Sequence, residues 1–549
     1  MAEREFTRRA MLQAALAAAP LAAFDWDAVP AKADPRNSDG YDAVIIGSGL
    51  GGLSCATAFA RKNYRPLVIE QHDKPGGYAT AFSRPGGFLF DVSLHSTFAG
   101  ERNGVRNLIP GFPEITEVEF VEHPSLYRAI FPDHDIRVRQ RNLPAYVAQL
   151  VRLFPDEKGG IEALFGQMQA MTREVAKVSR MEGQLETIDF PKEFPALARF
   201  GLGTWGAMAD AHLRDPKLKA IVSAQWAYYG LPPSRLASFY YAIPAIGYLE
   251  QGGYYPKGRS QSISDALVKF IEARGGKVLV NTRVDRILAS NGEAHGVHCE
   301  DGREFQARAV ISNASAGQTF YHFLEDDPEN YGTSLAEYKE RLAGFSTSLS
   351  SFQVFLGLNR DLVGHLEIPD AEIFLEHGYD PEAGYRAARD ADIEHSGLGV
   401  TLYDNLFNAY SPRGKNTINL VTLQRFDHWE PFEKDYRAGH KAAYNAEKER
   451  MADILIQRAE EALLPGLAKA IEVKEIGTPL TNLRYTANDR GAIYGWDQTV
   501  DNSGGRRLGH ATPVKNLYLA GAWTRPGHGY GAVLESGVEC FGEIVRDWA

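Results

Sequence analysis

The 549 residues exceed what one hydrophobic core normally covers, so two intimately joined domains are expected. With 44% apolar and 11% aromatic residues, the chain can bury a large core and still line an apolar pocket. A formal charge of −11, without any Lys/Arg-rich block, excludes nucleic acid as a partner.

Near the start, Arg8 and Arg9 precede an alanine-rich, mildly apolar run from Met11 to Ala23, and Ala31-Lys32-Ala33 is a small-x-small cleavage pattern. This order predicts a bacterial twin-arginine export signal over 1–33, delivering a folded protein to the periplasm or beyond. No other segment reaches membrane-spanning length in uninterrupted apolar residues. Cys55, Cys299 and Cys540 lie too far apart for a Cys-rich zinc site or a disulfide framework, and no metal is expected.

After a linker from Lys32 to Gly40, the run 41–46 (YDAVII) reads as a short buried strand. A helix pattern through Leu53, Ala56, Phe59 and Ala60 ends near Lys62-Asn63, and 66–70 (PLVIE) is the next strand. Together they make one βαβ unit. Its turn, Gly47-Ser48-Gly49-Leu50-Gly51-Gly52, is G-x-G-x-x-G. The first glycine permits the tight turn, the second lets a pyrophosphate approach the backbone, and the third allows close helix–strand packing. The helix N-terminus offers free N–H groups and a positive dipole end to phosphates. Glu70 is placed to accept hydrogen bonds from adenosine ribose hydroxyls.

The residues just past Glu70 narrow the ligand. Gln71-His72-Asp73-Lys74-Pro75-Gly76-Gly77 resembles the E-x(5)-G-G continuation of flavoproteins with a glutathione-reductase-like FAD domain. FAD is therefore expected. Only this G-x-G-x-x-G is set in a βαβ unit, so a second Rossmann domain for NAD(P)H is not expected.

Farther along, 159–181 and 262–274 read as helices, and 277–299 alternates as paired strands with Asn291-Gly292 as the hairpin turn. Residues 308–312 resemble a buried return strand to the first domain. The runs SFQVFLGL and TINLVTL, between 346 and 423, suggest a second sheet. A last buried strand at 516–520 precedes a glycine-rich turn and a helix from about Gly531. The expected fold class is α/β: a discontinuous glutathione-reductase-like Rossmann FAD-binding domain with a mixed-sheet plus helical substrate domain. The FAD-binding parts are 34–100, 251–320 and 481–549. The substrate parts are 101–250, a helical insertion, and 321–480.

Four stretches carry a resemblance to a known family: 41–82; 87–95, similar to F-D-x-G-x-H; 252–267, similar to G-G-x-x-x-P-x-G-G; and 516–537. In these the chain resembles the phytoene desaturase superfamily, with carotenoid cis–trans isomerases, retinol saturases and bacterial carotenoid desaturases nearest in pattern. The resemblance implies that Gly47, Gly49, Gly52 and Glu70 hold the ADP half, and that Gly76, Gly77 and Thr80 line the approach to the flavin. Val284 would meet the adenine through its backbone. Gly521, Ala522 and Trp523 would form the turn under the ribityl chain, with Val533 at the flavin side. The chain departs from the pattern at Ser93 and Arg259, each in place of a glycine near the substrate, and at Ala522, where distant flavoproteins carry aspartate.

The implied activity is FAD-dependent desaturation or saturation of carbon–carbon bonds in an apolar isoprenoid, polyene or unsaturated lipid, with oxygen or a quinone as the simpler electron acceptor. A redox-neutral cis–trans or double-bond isomerase is the alternative. Amine oxidation is disfavoured by W-T-x-P-G at Trp523 in place of F-A-G-E, and a bare electron carrier by the long insertion between the FAD motifs. His95 and His528 are candidates for proton transfer, or else only bind loop carbonyls. Arg259 and Arg525 are anion ligands or, more commonly, surface groups. Tyr254 and Tyr255 line a channel or pack in a strand. The apolar stretch 190–208 is core helix and turn, or else an entrance in peripheral contact with a membrane.

Overall fold

The computed structural model describes Trp26, Val29, 31–32, 40–97, 115–179, 189–325 and 328–548. Arg8, Arg9, the run 11–23 and Ala33, on which the export expectation rests, lie outside these residues. Trp26, inside the expected signal segment, stacks on Phe541 at 6.2 Å, and Lys62 donates to the Trp26 and Val29 carbonyls.

β1 (Tyr41–Ile46) is covered on both faces, which is why its sequence is a continuous apolar run rather than an alternation. It leads into α1 (Leu50–Arg61) and β2 (Pro66–Ile69), which runs parallel to β1. A hairpin, β3 (Ala81–Arg84) and β4 (Phe88–Asp91), comes next. Beyond it lie β5 (Phe120–Glu122) and the hairpin β6 (Tyr127–Ile130) with β7 (Asp135–Val138).

The helical layer contains α2 (Lys158–Ser179) and α3 (Ser238–Gln251). Between them Phe190, Phe194, Phe200, Trp205 and Met208 all turn inward, and Trp205 stacks on Tyr241 at 4.3 Å. The stretch 190–208 is thus core. β8 (Tyr254–Pro256) and α4 (Gln261–Ala273) follow. Then come β9 (Lys277–Leu279), the hairpin of β10 (Val284–Ser290) and β11 (Glu293–Cys299), and β12 (Glu304–Ser312). Asn291 and Gly292 turn that hairpin with positive φ at both residues, as a type I′ turn requires.

The second half supplies β13 (Ser350–Leu358), β14 (Glu372–Leu375), β15 (Leu398–Leu402), β16 (Asn416–Gln424), α5 (Ala442–Ala462) and β17 (Ile471–Gly477). It closes with β18 (Leu517–Leu519) and α6 (Tyr530–Trp548).

These strands build two large sheets. In the first, β9, β2, β1, β12 and β18 are all parallel, a doubly wound α/β sheet, and β10–β11 extends it antiparallel from the start of β12. The strands come from the beginning, the middle and the end of the chain. α1 and α6 pack together on one face, where Phe59 meets Phe541 edge-on at 4.8 Å and Trp548 at 5.7 Å. Burying Phe59 completely contributes about 2 kcal/mol of hydrophobic stabilisation.

The second sheet has the order β17-β13-β16-β15-β14-β6-β7. Its faces differ because side chains alternate along each strand. On β13, Phe352, Val354, Leu356 and Leu358 face the core under α5, into which Met451, Leu455, Ile456 and Ala459 project at helical spacing. Ser351, Gln353 and Phe355 face the opposite way, as do Glu372 and Phe374 of β14. That second face is one wall of a cavity; the other is the end of the parallel sheet that carries the glycine turn.

Candidate active site

The cavity measures about 1350 Å³, above the roughly 300–1,000 Å³ that encloses one drug-sized ligand. Of the residues expected at the cofactor, Gly47, Gly49, Leu50, Gly51, Glu70, Gln71, Gly76, Gly77, Thr80, Val284, Gly521, Ala522, Trp523 and Val533 all stand on its wall, as do His95 and His528. Ser48 and Gly52 sit just behind it. Ser48 donates from its N–H and its hydroxyl to Oε2 of Glu70, at 2.8 and 2.7 Å, and the His72 N–H donates to Oε1 at 2.8 Å. The carboxylate is thereby fixed at the end of β2. A Cβ on Gly52 would lie 2.3 Å from the Gly47 carbonyl oxygen, so only glycine permits α1 to start against β1 there.

These residues fit FAD. α1 begins with no side-chain cap and no acidic residue in its first turn, leaving its N–H groups and positive dipole end for a pyrophosphate. A Cβ on Gly51 would sit 2.6 Å from the Cα of Gly521, so the two turns meet as bare main chain. Asn313, at the end of β12, fills the space between them; its side chain would be struck by a Cβ at Gly49, Gly51 or Gly521. Nothing in the local sequence marks Asn313. Its place follows from the parallel pairing of β12 with both β1 and β18.

Behind the C-terminal turn lies Arg507, also absent from the sequence expectations. It is 2% exposed, and it donates to the carbonyls of Ala522 (2.6 Å), Thr524 (2.9 Å), Trp496 and Asn502 (both 3.3 Å). It clamps the loop that carries Gly521 to His528. Burial pulls its guanidinium down to about 10.

His528 stacks on Tyr494 at 4.3 Å, and its Nε2 donates to the Tyr228 carbonyl at 3.2 Å, which fixes the tautomer. Burial, with the Arg507 charge, pulls it down to about 3. It is a neutral wall group at physiological pH. His95 is buried too, and desolvation lowers it to about 4; its Nδ1 hydrogen-bonds the Thr401 hydroxyl. Thr401 lies opposite Glu372 in the β14–β15 pairing and meets Glu372 Oε2 at 3.0 Å, while the Tyr228 hydroxyl donates to Oε1 at 2.9 Å. Burial raises Glu372 to about 8. Glu372 was not among the residues expected from the sequence.

The F-D-x-G-x-H segment is organised by Asp91. Buried, it accepts from the Tyr255 hydroxyl (2.6 Å), from Ser260 N and Oγ (2.8 Å each) and from Leu94 N (3.1 Å). Tyr255 is therefore a packing and hydrogen-bonding residue, and neither it nor Tyr254 reaches the cavity. Ser93 donates to the Tyr78 carbonyl at 2.9 Å. Arg259 is not a surface group, because it is buried at φ 65° and spent on the Leu89 and Tyr410 carbonyls. It is not an anion ligand either, being off the cavity wall. Arg525 pairs with Glu543 at 3.2 Å, also off the wall.

Comparison with known proteins agrees with this geometry. The chain is similar to prolycopene isomerase 1 of an Oncidium hybrid cultivar, 28% identical across 93% of this chain and 85% of that protein. It is similar to all-trans-retinol 13,14-reductase of Danio rerio, 27% identical across 88% and 83%. To the neurosporene-forming phytoene desaturase of Rhodobacter capsulatus it is 27% identical across 93% and 95%. Its fold matches that of an oxidoreductase from Methanosarcina mazei, with a TM-score of 0.58 and 18% identity over 92% of this chain and all of that one. A family model described as flavin containing amine oxidoreductase matches residues 50–540, and the chain belongs to that family as an FAD-dependent enzyme.

Proposed function

We propose that this protein moves hydrogen across a carbon–carbon bond of an apolar polyene or isoprenoid, saturating or desaturating it. The observation that carries the reading is one continuous cavity. It runs from the glycine turns to a wall of Tyr229, Phe239, Ile243, Phe355, Phe374 and Leu423, where an extended apolar molecule can lie. When bound, FAD supplies two-electron hydride chemistry. The chain's own residues hold the cofactor by main chain, exclude water with the aromatic wall, and offer Glu372, His95 and His528 as hydrogen-bonding groups.

Relatives named for isomerisation, reduction and desaturation all support polyene chemistry, whereas the family description alone would include amines. Redox-neutral isomerisation is the second reading, favoured by a buried uncharged carboxyl on the substrate wall. Oxygen or a quinone is the acceptor proposed for net oxidation, and export through Arg8-Arg9 belongs to the same proposal.

The test is anaerobic mixing of the yellow holoprotein with candidate polyenes while the flavin spectrum is recorded. Bleaching by a more saturated substrate marks a desaturase. Stoichiometric reoxidation of pre-reduced flavin by an unsaturated substrate marks a saturase. Turnover only after pre-reduction, with no reoxidation, marks an isomerase. No spectral or product change with any polyene, but bleaching by amines, would sink the proposal.

A further inference from the structure

Glu372 is 2% exposed on the cavity wall and has no cationic neighbour among the described residues. The groups that face it are Tyr228 from the 226–229 turn, Thr401 opposite it on β15, His95 from the loop after β4, Tyr248 of α3 and Tyr403 just beyond β15. All are uncharged at neutral pH. A carboxylate there would lack any compensating charge to offset its desolvation, so the group keeps its proton. Two residues on along the same face, Phe374 extends the apolar surface.

With Glu372 protonated, the hydrogen bonds form one consistent chain. Tyr228 donates to Oε1, the carboxyl donates to Thr401 Oγ1, and the Thr401 hydroxyl donates to Nδ1 of neutral His95. Removing the proton lets the Thr401 hydroxyl turn to the carboxylate while His95 presents an Nδ1 proton to Thr401, a hydroxyl rotation and a change of imidazole tautomer that move no heavy atom. The arrangement tolerates both proton states, as an acid that must be reloaded requires. It is tied to the flavin turn as well, because His528 holds the Tyr228 carbonyl.

We infer that Glu372 exchanges the proton with the substrate carbon, while Tyr228, Thr401 and His95 are positioning residues that orient and return it. The inference rests on the proposed carbon–carbon chemistry. Moving hydrogen across such a bond takes a hydride and a proton; the hydride, with its electron pair, belongs to the flavin. In delivery, the O–H bond of Glu372 breaks, a C–H bond forms at the double bond's second carbon, and the carboxylate keeps the electron pair of the broken bond. A proton then returns by way of Thr401 and His95. In abstraction the same bonds form and break in reverse. A carboxyl protonated at rest suits delivery to a double bond.

The test substitution is Glu372→Gln, which keeps the size, accepts from Tyr228 through its amide oxygen and donates its amide N–H to Thr401 as the protonated carboxyl does. Flavin content is expected to match the wild type. The holoprotein's infrared spectrum should show a protonated-carboxyl band that shifts in deuterated water and vanishes in the variant. Pre-reduced wild type in deuterated water should place solvent deuterium on the polyene product, and the variant should do so about 100-fold more slowly. Thr401→Val should shift the pH profile of that step and leave flavin content unchanged. Equal rates in wild type and Glu372→Gln, or no such band, overturn the inference but leave the proposed reaction standing. A wild type that converts no polyene overturns the reaction and the role of Glu372 together.

Discussion

One wall of the cavity is main chain and the other is side chain. At the cofactor wall, Gly47 to Gly51 meet Gly521 with only the Asn313 side chain between them, and specificity comes from N–H groups, a helix end and one fixed carboxylate. At the facing wall, alternate residues of β13, β14 and β16 present Gln353, Phe355, Glu372, Phe374, Val421 and Leu423. The first wall has no room for variation, since any Cβ at Gly51 collides with backbone. The second can exchange side chains without touching the fold, because the opposite face of the same strands carries the core. A chain built this way can keep its cofactor and change its substrate.

That contrast can be broken most severely at Gly51. Gly51→Val should give a colourless protein, with a loss of at least about 3 kcal/mol in stability read by urea unfolding, because backbone cannot yield as a side chain can. Arg507→Met should come next. It strips the clamp from four carbonyls, and we expect about 3 kcal/mol of destabilisation and a raised Kd for FAD in a fluorescence titration.

The facing wall should respond to pH instead. Glu372 sits at about 8 when folded, against an ordinary value of 4.5, so the folded state binds the proton more tightly. Its favourable contribution is complete below about 4.5 and is lost as pH rises through 8. Wild type should therefore lose stability relative to Glu372→Gln by about 1.4 kcal/mol for each pH unit across that window in paired denaturation curves. The mildest perturbation is Val421→Trp. It should leave flavin absorbance intact and slow conversion of a long polyene by about tenfold, while a short analogue is spared. Equal loss of flavin in that variant would erase the distinction between the walls.

The two walls are also unequally legible in the sequence. The βαβ unit can be read because its signals are local: Ala43 to Ile46 form an unbroken apolar run, and the glycines follow at once. Gly521, Trp523 and His528 rest on resemblance, and the structure sets them on the same wall. Glu372 gives no signal, since a lone glutamate in Ala371-Glu372-Ile373-Phe374 looks like the polar side of any strand. Only the pairing of β14 with β15 and β6 turns it inward. Arg507 hides for the same reason among Gly504-Gly505-Arg506-Arg507, where nothing local distinguishes it from the neighbouring Arg506. Arg259 reads as a surface group because arginines usually are; the contrary sign is its place at a glycine position, which here is left-handed backbone. Side chains whose role depends on partners hundreds of residues away leave no periodicity to read.

The parallel sheet closes with β18 and α6, the last elements of the chain, beside strands made first. A ribosome must therefore have made all of the chain between Gly51 and Gly521 before the two turns can meet. Until then the glycine turn is half a site, and the early strands wait with an uncovered apolar edge, the condition that favours aggregation or chaperone capture. Cofactor supply then acts as a checkpoint on biogenesis: FAD binds only the finished topology and so selects complete molecules by mass action. Starved of flavin, a cell should accumulate this chain as a protease-sensitive species, even though every residue of the substrate wall has been made.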